Sequence, residues 1–290
     1  MYYKTRSYQV FYWTNIVLLS IMALCCILPL IHIFAVSFSG GMALAANAVS
    51  FWPVDFHLDS YKTTLSDQGF LRSFSNSLVR VLLGVSVGMV VTILTAYPLS
   101  KMDALKGGRW IAWFFVFTML FHGGLIPTYI VIQKLGLMNS VWSLILPGAL
   151  NIYNMILMLN FFRAIPKELE EASLIDGAGH FTTLVRIYLP VSLPSIATII
   201  LFVAVGHWNA WFDALIYLRQ ESWPMSTLLQ TLVKAPDPST MSITSEEALN
   251  LSDRTLKAAK IFVGTLPILL IYPFLQRFFV KGMVMGAVKG

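Results

Sequence analysis

Apolar positions along this chain gather into long unbroken runs, without the periodic alternation of half-buried elements. Six runs stand out, at about Asn15–Phe38, Leu78–Leu99, Trp110–Ile132, Val141–Phe162, Val191–Leu218 and Ala258–Val280. Each is long enough for a helix to cross a hydrocarbon core of roughly 30 Å. The pattern predicts an all-α integral membrane protein with six transmembrane helices. Prolines lie within or near several runs, at Pro29, Pro98, Pro127, Pro147, Pro194, Pro267 and Pro273. Membrane helices tolerate them where neighbouring helices re-satisfy the freed carbonyls, so a packed bundle is expected. The first run lacks a short apolar region followed by a small-residue cleavage site, and reads as an uncleaved anchor.

Composition agrees with the runs. Hydrophobic residues make up 57% of the 290 and charged residues 12%, about half the charged share of a soluble domain. Orientation follows from the basic residues between runs. With the N-terminus in the cytoplasm, the inner segments carry Lys4, Arg6, Lys101, Lys106, Arg109, Arg163, Lys167, Arg186, Arg277, Lys281 and Lys289 against five acids, Asp103, Glu168, Glu170, Glu171 and Asp176. The inner side then holds the whole net charge of +6. Both termini and the polar segment 163–190 are expected in the cytoplasm. Two longer segments, about 39–77 and 219–257, face outward, with Trp52-Pro53 and Trp223-Pro224 suited to the membrane interface. Cys25 and Cys26 are adjacent in an apolar run and point to neither a disulfide framework nor a metal site.

Segment 163–190 carries the most specific pattern. Pro166 suits the first position of a helix, and Glu168, Glu170 and Glu171 place negative charge at its positive end. Gly177 follows Asp176 where a left-handed cap is expected. A helix over about Pro166–Asp176 and a second over Phe181–Tyr188 are predicted, the latter returning the chain to Pro190 and the fifth run. Ala172 and Ser173 are small enough to admit close approach of a partner, and a glutamate (Glu170 or Glu171) could bond to partner bases.

Residues 171–190 read E-A-small-x-x-x-G-x₉-I-x-L-P. This spacing resembles the cytoplasmic coupling loop by which importer-type ABC permeases dock on their ATPase subunits. The ending, Gln276-Arg277-Phe278-Phe279-Val280-Lys281-Gly282 and then Gly286-Ala287-Val288-Lys289-Gly290, is similar to that of the shorter permease subunit of maltose-type carbohydrate importers. The N-terminal third, from Ile27-Leu28-Pro29 to Ser39 and at Trp52-Pro53, looks like a subgroup that imports complex oligosaccharides, pectin-like or alginate-like. The resemblance implies a type I ABC importer permease fold, with a cytoplasmic N-terminus over 1–14 and a transmembrane domain over 15–290. It implies that Glu170, Glu171, Ala172, Ser173, Asp176, Gly177, Ile187, Leu189 and Pro190 couple to the ATPase. Lys281, Gly282, Gly286, Lys289 and Gly290, in the cytoplasmic tail 281–290, would reach the ATPase interface. Ser173 stands where that family usually has a second alanine.

The implied partners are a homologous second permease completing a heterodimer, two ATPase subunits, an extracellular solute-binding protein or lipoprotein, and the lipid bilayer of a bacterial cell membrane. No cofactor is expected on this chain; ATP and Mg belong to the partner ATPase. The substrate-path candidates are Trp208, Asn209, Trp211 and Asp213 in the fifth run, and Asn151, Tyr153 and Asn154 in the fourth. An aromatic face beside amide and carboxylate groups suits a sugar ring, and polar groups in lipid are costly enough to mark functional sites. Asn209 and Asp213 are four apart and are expected to share a helix face. Asp213 could pair with a base such as Arg219; His32 and His122 read as core hydrogen-bonding residues.

A phosphate-binding G-x-x-x-x-G-K-[ST] loop, an H-E-x-x-H motif and paired Cys/His spacing are all absent from the sequence. The chain is therefore not expected to be an enzyme or to hold a metal. The leading expectation is an ATP-driven oligosaccharide permease; the alternatives are an ABC permease for a non-sugar solute and an ion-coupled secondary transporter.

Overall fold

Two apolar stretches fold as single helices long enough to span a membrane: α1 (Arg6–Ser37) and α4 (Gln68–Ser100). The computed structural model describes residues 5–101, 107–121, 123–233, 253–271 and 273, and all that follows concerns these. The remaining helices are α2 (Gly41–Ala45), α3 (Asp59–Ser66), α5 (Gly108–Leu120), α6 (Leu125–Lys134), α7 (Trp142–Ile145), α8 (Ile152–Arg163), α9 (Lys167–Ile175), α10 (His180–Thr183), α11 (Leu189–Val191), α12 (Leu193–Asn209), α13 (Phe212–Tyr217), α14 (Met225–Val233) and α15 over residues 253–271. Among the described residues the only β-pairing is the isolated bridge between Ser39 and Phe56.

The third, fourth and fifth apolar runs are not single helices. The third is divided between α5 and α6, and Gly124, with φ +87°, caps the start of α6. The fourth bends by 52° where α7 tightens into a 3₁₀ turn at Leu146–Gly148 before α8 begins. The approach to the fifth bends by 82° between His180–Val191 and α12. Counting each bent pair as one span gives up to five, by length and apolarity. The sixth expected run continues past residue 273, outside the described residues, as do His122, Asp103, Lys106 and the tail residues Lys281, Gly282, Gly286, Lys289 and Gly290.

Two units divide the chain. The first takes residues 1–71 and 229–266. Its small core joins Ala35 and Val36 at the end of α1 to Val49 and to Ala258 of α15. Phe38 stacks on Phe56 and Tyr61, with ring centroids 5.2 and 4.5 Å apart. Asp67 caps α4 through the Gly69 and Phe70 amides and takes the Lys260 ammonium at 2.6 Å. The Lys260 bond holds its carboxyl below the ordinary range. Elsewhere α1 exposes large apolar side chains from Val10 to Phe34, as lipid-facing helices do.

The second unit takes residues 72–228 and 267–290. Its main core packs Met89, Ala96, Tyr97 and Leu99 of α4 against Met155, Met158, Leu159 and Phe162 of α8. Ile165, Leu184, Tyr188 and Ile199 complete it. Gly84 lets α4 approach α12 closely, since a Cβ there would overlap the His207 ring.

Candidate functional site

The segment after α8 forms a helical hairpin. Pro166 precedes α9 and Asp176 closes it. The turn is a Schellman motif, with the Ala178 amide donating to Ser173 O (3.0 Å) and the Gly177 amide to Leu174 O (3.1 Å). Gly177 takes φ +79°, a left-handed conformation that glycine enters without a Cβ penalty. The return arm runs through α10 and a π-helical turn, Leu184–Tyr188, into α11.

One face of the hairpin is locked internally. Ser173 is buried and shares a 2.8 Å hydrogen bond with Thr183. Its side chain thereby joins the two arms of the hairpin. Glu170 is likewise turned inward. Its Oε1 takes Lys101 from the end of α4, and its Oε2 accepts from Tyr188 Oη at 2.7 Å. Burial pushes the Glu170 carboxyl upward, but the bonds from Lys101 and Tyr188 outweigh it, and the net pKa lies below the ordinary value. Lys101 Nζ also stands 4.5 Å from the Tyr97 ring centroid and 5.1 Å from that of Tyr188, within cation–π range. Tyr97 Oη donates to the His180 carbonyl at 3.1 Å.

The opposite face is open. Ile175 is 86% exposed and Phe181 72%. Glu171, Ala172 and Asp176 are exposed beside them. Of the two glutamates left open by the sequence, Glu170 is spent within the chain and Glu171 is available. Ile187 and Leu189 pack on the core, while Pro190 is exposed.

A second feature lies among α4, α7, α8 and α12. A cavity of about 340 Å³ is lined by Arg80, Asn151, Asn154, His207 and Asp213, with apolar walls including Leu144 and Phe202. Arg80 is buried in α4; its guanidinium donates to the Ala210 carbonyl at 2.9 Å and pairs with Asp213. Asn151 caps α8, its Oδ1 accepting from the Asn154 amide at 3.1 Å.

The aromatic cluster of the fifth run is dispersed. The helix stops at Asn209 and restarts at Phe212, so Asn209 and Asp213 do not share a helix face. Asn209 is exposed and absent from the cavity lining. Trp208 lines a different, apolar pocket with Val81, Leu201 and Pro267, and Trp211 packs edge-on to Phe212. Tyr153 is exposed, whereas Asn151 and Asn154 both line the polar cavity. Asp213 pairs with Arg80, not with Arg219. Arg80 and the Lys101–Glu170 pairing are what the sequence pattern does not mark as part of either site. An ionisable side chain inside an apolar run is a functional signal by itself, and Arg80 carries that signal at the start of the second run.

The described residues thus combine membrane-length apolar helices, a clamped hairpin and a cavity between helices that has several polar residues in its lining. The sequence pattern described as "Binding-protein-dependent transport system inner membrane component" matches residues 1–285, and the chain belongs to that family. Protein LplC of Bacillus subtilis (strain 168) is 41% identical over 290 residues, covering 99% of this chain and 98% of its own. The polygalacturonan/rhamnogalacturonan transport system permease protein YtcP of the same organism is also 41% identical, over 94% of this chain and 96% of its own. Among solved structures, a chain of a bacterial ABC transporter involved in the import of the acidic polysaccharide alginate superposes with a TM-score of 0.86. It is 33% identical and covers 95% of this chain and 98% of that one.

Proposed function

We propose that this chain is one permease of a heterodimeric ABC importer that carries an oligosaccharide delivered by an external binding protein. Two ATPase subunits hold the ATP and Mg and bind the cytoplasmic face of the heterodimer, one of them on the hairpin 163–190; the excess of basic residues on that side supports the orientation. The relatives named above support the cargo class, since polygalacturonan and alginate transport are what two of them are named for.

The observation that carries the ATPase side is the two-faced hairpin. Its inner face is fixed to α4 through Lys101–Glu170–Tyr188, and its outer face presents Ile175, Phe181 and Glu171. Packed elements move as units. A push on the exposed face therefore reaches α4 and α8 as a displacement, because ion pair, aromatic contacts and the Ser173–Thr183 bond leave the hairpin little independent freedom. The stretch Gly282–Gly290 is proposed to add to the same interface.

Uptake measured in inside-out and right-side-out vesicles containing the complete transporter tests this reading. Import of a labelled oligosaccharide should require ATP on the cytoplasmic face together with the binding protein. Import driven by an ion gradient without ATP would contradict it.

A further inference from the structure

The fifth span is interrupted where its own sequence does not require it. No glycine or proline stands between His207 and Leu218. Even so, α12 stops at Asn209, Ala210 takes an extended conformation with ψ 126°, and α13 starts at Phe212. Gly206, Ala210, Asp213 and Tyr217 all line the cavity, and their spacing is that of one face of a continuous helix. The same stretch therefore suits an unbroken helix as well as a broken one.

What holds the break comes from other elements. The Ala210 carbonyl accepts from the Arg80 guanidinium at 2.9 Å and from Ser226 Oγ at 2.7 Å. The Trp211 carbonyl accepts from Thr227 Oγ1 at 2.9 Å. In an unbroken helix the Ala210 carbonyl would take the Ala214 amide. That amide instead donates to Asp213 Oδ1 at 2.8 Å, and the other oxygen of Asp213 pairs with Arg80. Unpaired backbone groups at membrane depth are costly, so these side chains make the break possible. Arg80 is itself a costly anchor, 1% exposed, with its Nε lacking a partner among the described residues. Buried ion pairs are weak supports of stability, and well-packed apolar residues often replace them without loss.

We propose that Arg80 is a positioning residue for transport: it holds the fifth span in its broken form, and α4, displaced by the hairpin, withdraws it so that α12 and α13 join. The inference rests on the ATPase-docking reading above and supplies the far end of that lever. Ser77 and Arg80 are three apart and share a face of α4. Ser77 Oγ accepts the Met225 amide at 2.7 Å, so the start of α14, which brings Ser226 and Thr227, hangs on the same helix as Arg80. At the other end of α4, Lys101 binds Glu170 of the hairpin. Hydrogen bonds weaken steeply with misalignment, so a small shift of α4 is enough to release the Ala210 carbonyl to its helical partner. An element with two discrete arrangements is what coupling between distant sites requires.

The test reads the backbone at Ala210 directly. The complete transporter is reconstituted in lipid with only this permease carrying ¹³C-carbonyl alanine and ¹⁵N-tryptophan. Two peptide bonds of the chain join alanine to tryptophan, Ala112–Trp113 inside α5 and Ala210–Trp211. The first serves as a helical reference for the carbonyl shift of the second. Nucleotide-free wild type is expected to show an extended Ala210, and the vanadate-trapped transporter a helical one. The double variant Arg80→Met/Asp213→Leu leaves neither charge unpaired. It should melt no lower than wild type, show the helical signal without nucleotide, and import about tenfold less cargo per ATP hydrolysed, the effect of losing one bond to a charged group. Ser226→Ala keeps the ion pair and should move signal and ratio the same way by less; it decides alone if the double variant does not reach the membrane. An extended Ala210 in every state and variant, or variants with the wild-type ratio, overturns the role of Arg80 and leaves the ATPase reading standing. A wild type that imports without hydrolysing ATP overturns both.

Discussion

Glu170 is held by donors from two elements distant in sequence, Lys101 at the end of α4 and Tyr188 in the return arm of the hairpin. Its carboxyl titrates below the ordinary range because these bonds overcome its burial. The stabilisation is therefore complete above the ordinary carboxyl range and is lost as pH falls through the lowered folded value. Glu170→Gln should lower stability at neutral pH by about 1.5–3 kcal/mol, the worth of hydrogen bonds to a charged group. It should also flatten the acid limb of a plot of melting temperature against pH. A variant that keeps the wild-type acid limb would remove Glu170 from this role. Gly177 makes a simpler case. With φ +79° and no heavy atom within 4 Å of where a Cβ would stand, Gly177→Ala meets only backbone strain, about 1–2 kcal/mol. Thermal unfolding of the purified permease measures it, and Gly177→Asn should lose less, since asparagine enters the left-handed region more readily.

At the scale of elements, the hairpin and the broken helices behave differently under reading from sequence. Pro166, the acidic first turn and Asp176-Gly177 are local signals, and α9 ends where they say. The inward turn of Ser173 and Glu170 depends on partners 10 and 69 residues away, Thr183 and Lys101, so no local pattern discloses it. Breaks in the apolar runs are hidden for another reason. Proline and glycine are tolerated in membrane helices, so Pro147-Gly148 reads the same in a bent span as in a straight one. The interruption at Ala210-Trp211 carries neither residue, and it separates Asn209 from Asp213 all the same. The close approach of α4 to α12 yields a prediction at this scale. Gly84→Ala would drive a methyl into the His207 ring. Overpacking of that kind costs about 1–3 kcal/mol; a melting temperature equal to wild type would show that the ring moves aside freely.

Across the whole molecule, the two candidate sites share α4. Its early part carries Arg80 at the polar cavity, and its final residues pack on the hairpin before Lys101 binds Glu170. One continuous helix of 33 residues thus touches both the cavity and the proposed seat of the ATPase. The long apolar runs and the hairpin are legible in the sequence because length, hydropathy and capping are properties of neighbouring residues. Arg80 is legible as a charge in an apolar run, but its partner Asp213 is not, being 133 residues away. ATP-driven import through this chain depends on whether the exposed face of the hairpin seats the ATPase. Ile175 is the residue to change, because it is almost fully exposed and its side chain is not part of the contacts that hold the hairpin together. Tagged wild type and Ile175→Asp should be purified in mild detergent together with the second permease and the ATPase. If the ATPase docks on this face, the variant keeps its melting temperature and the second permease while losing most of the ATPase. Full retention of the ATPase by the variant, or none bound by wild type, would contradict docking there.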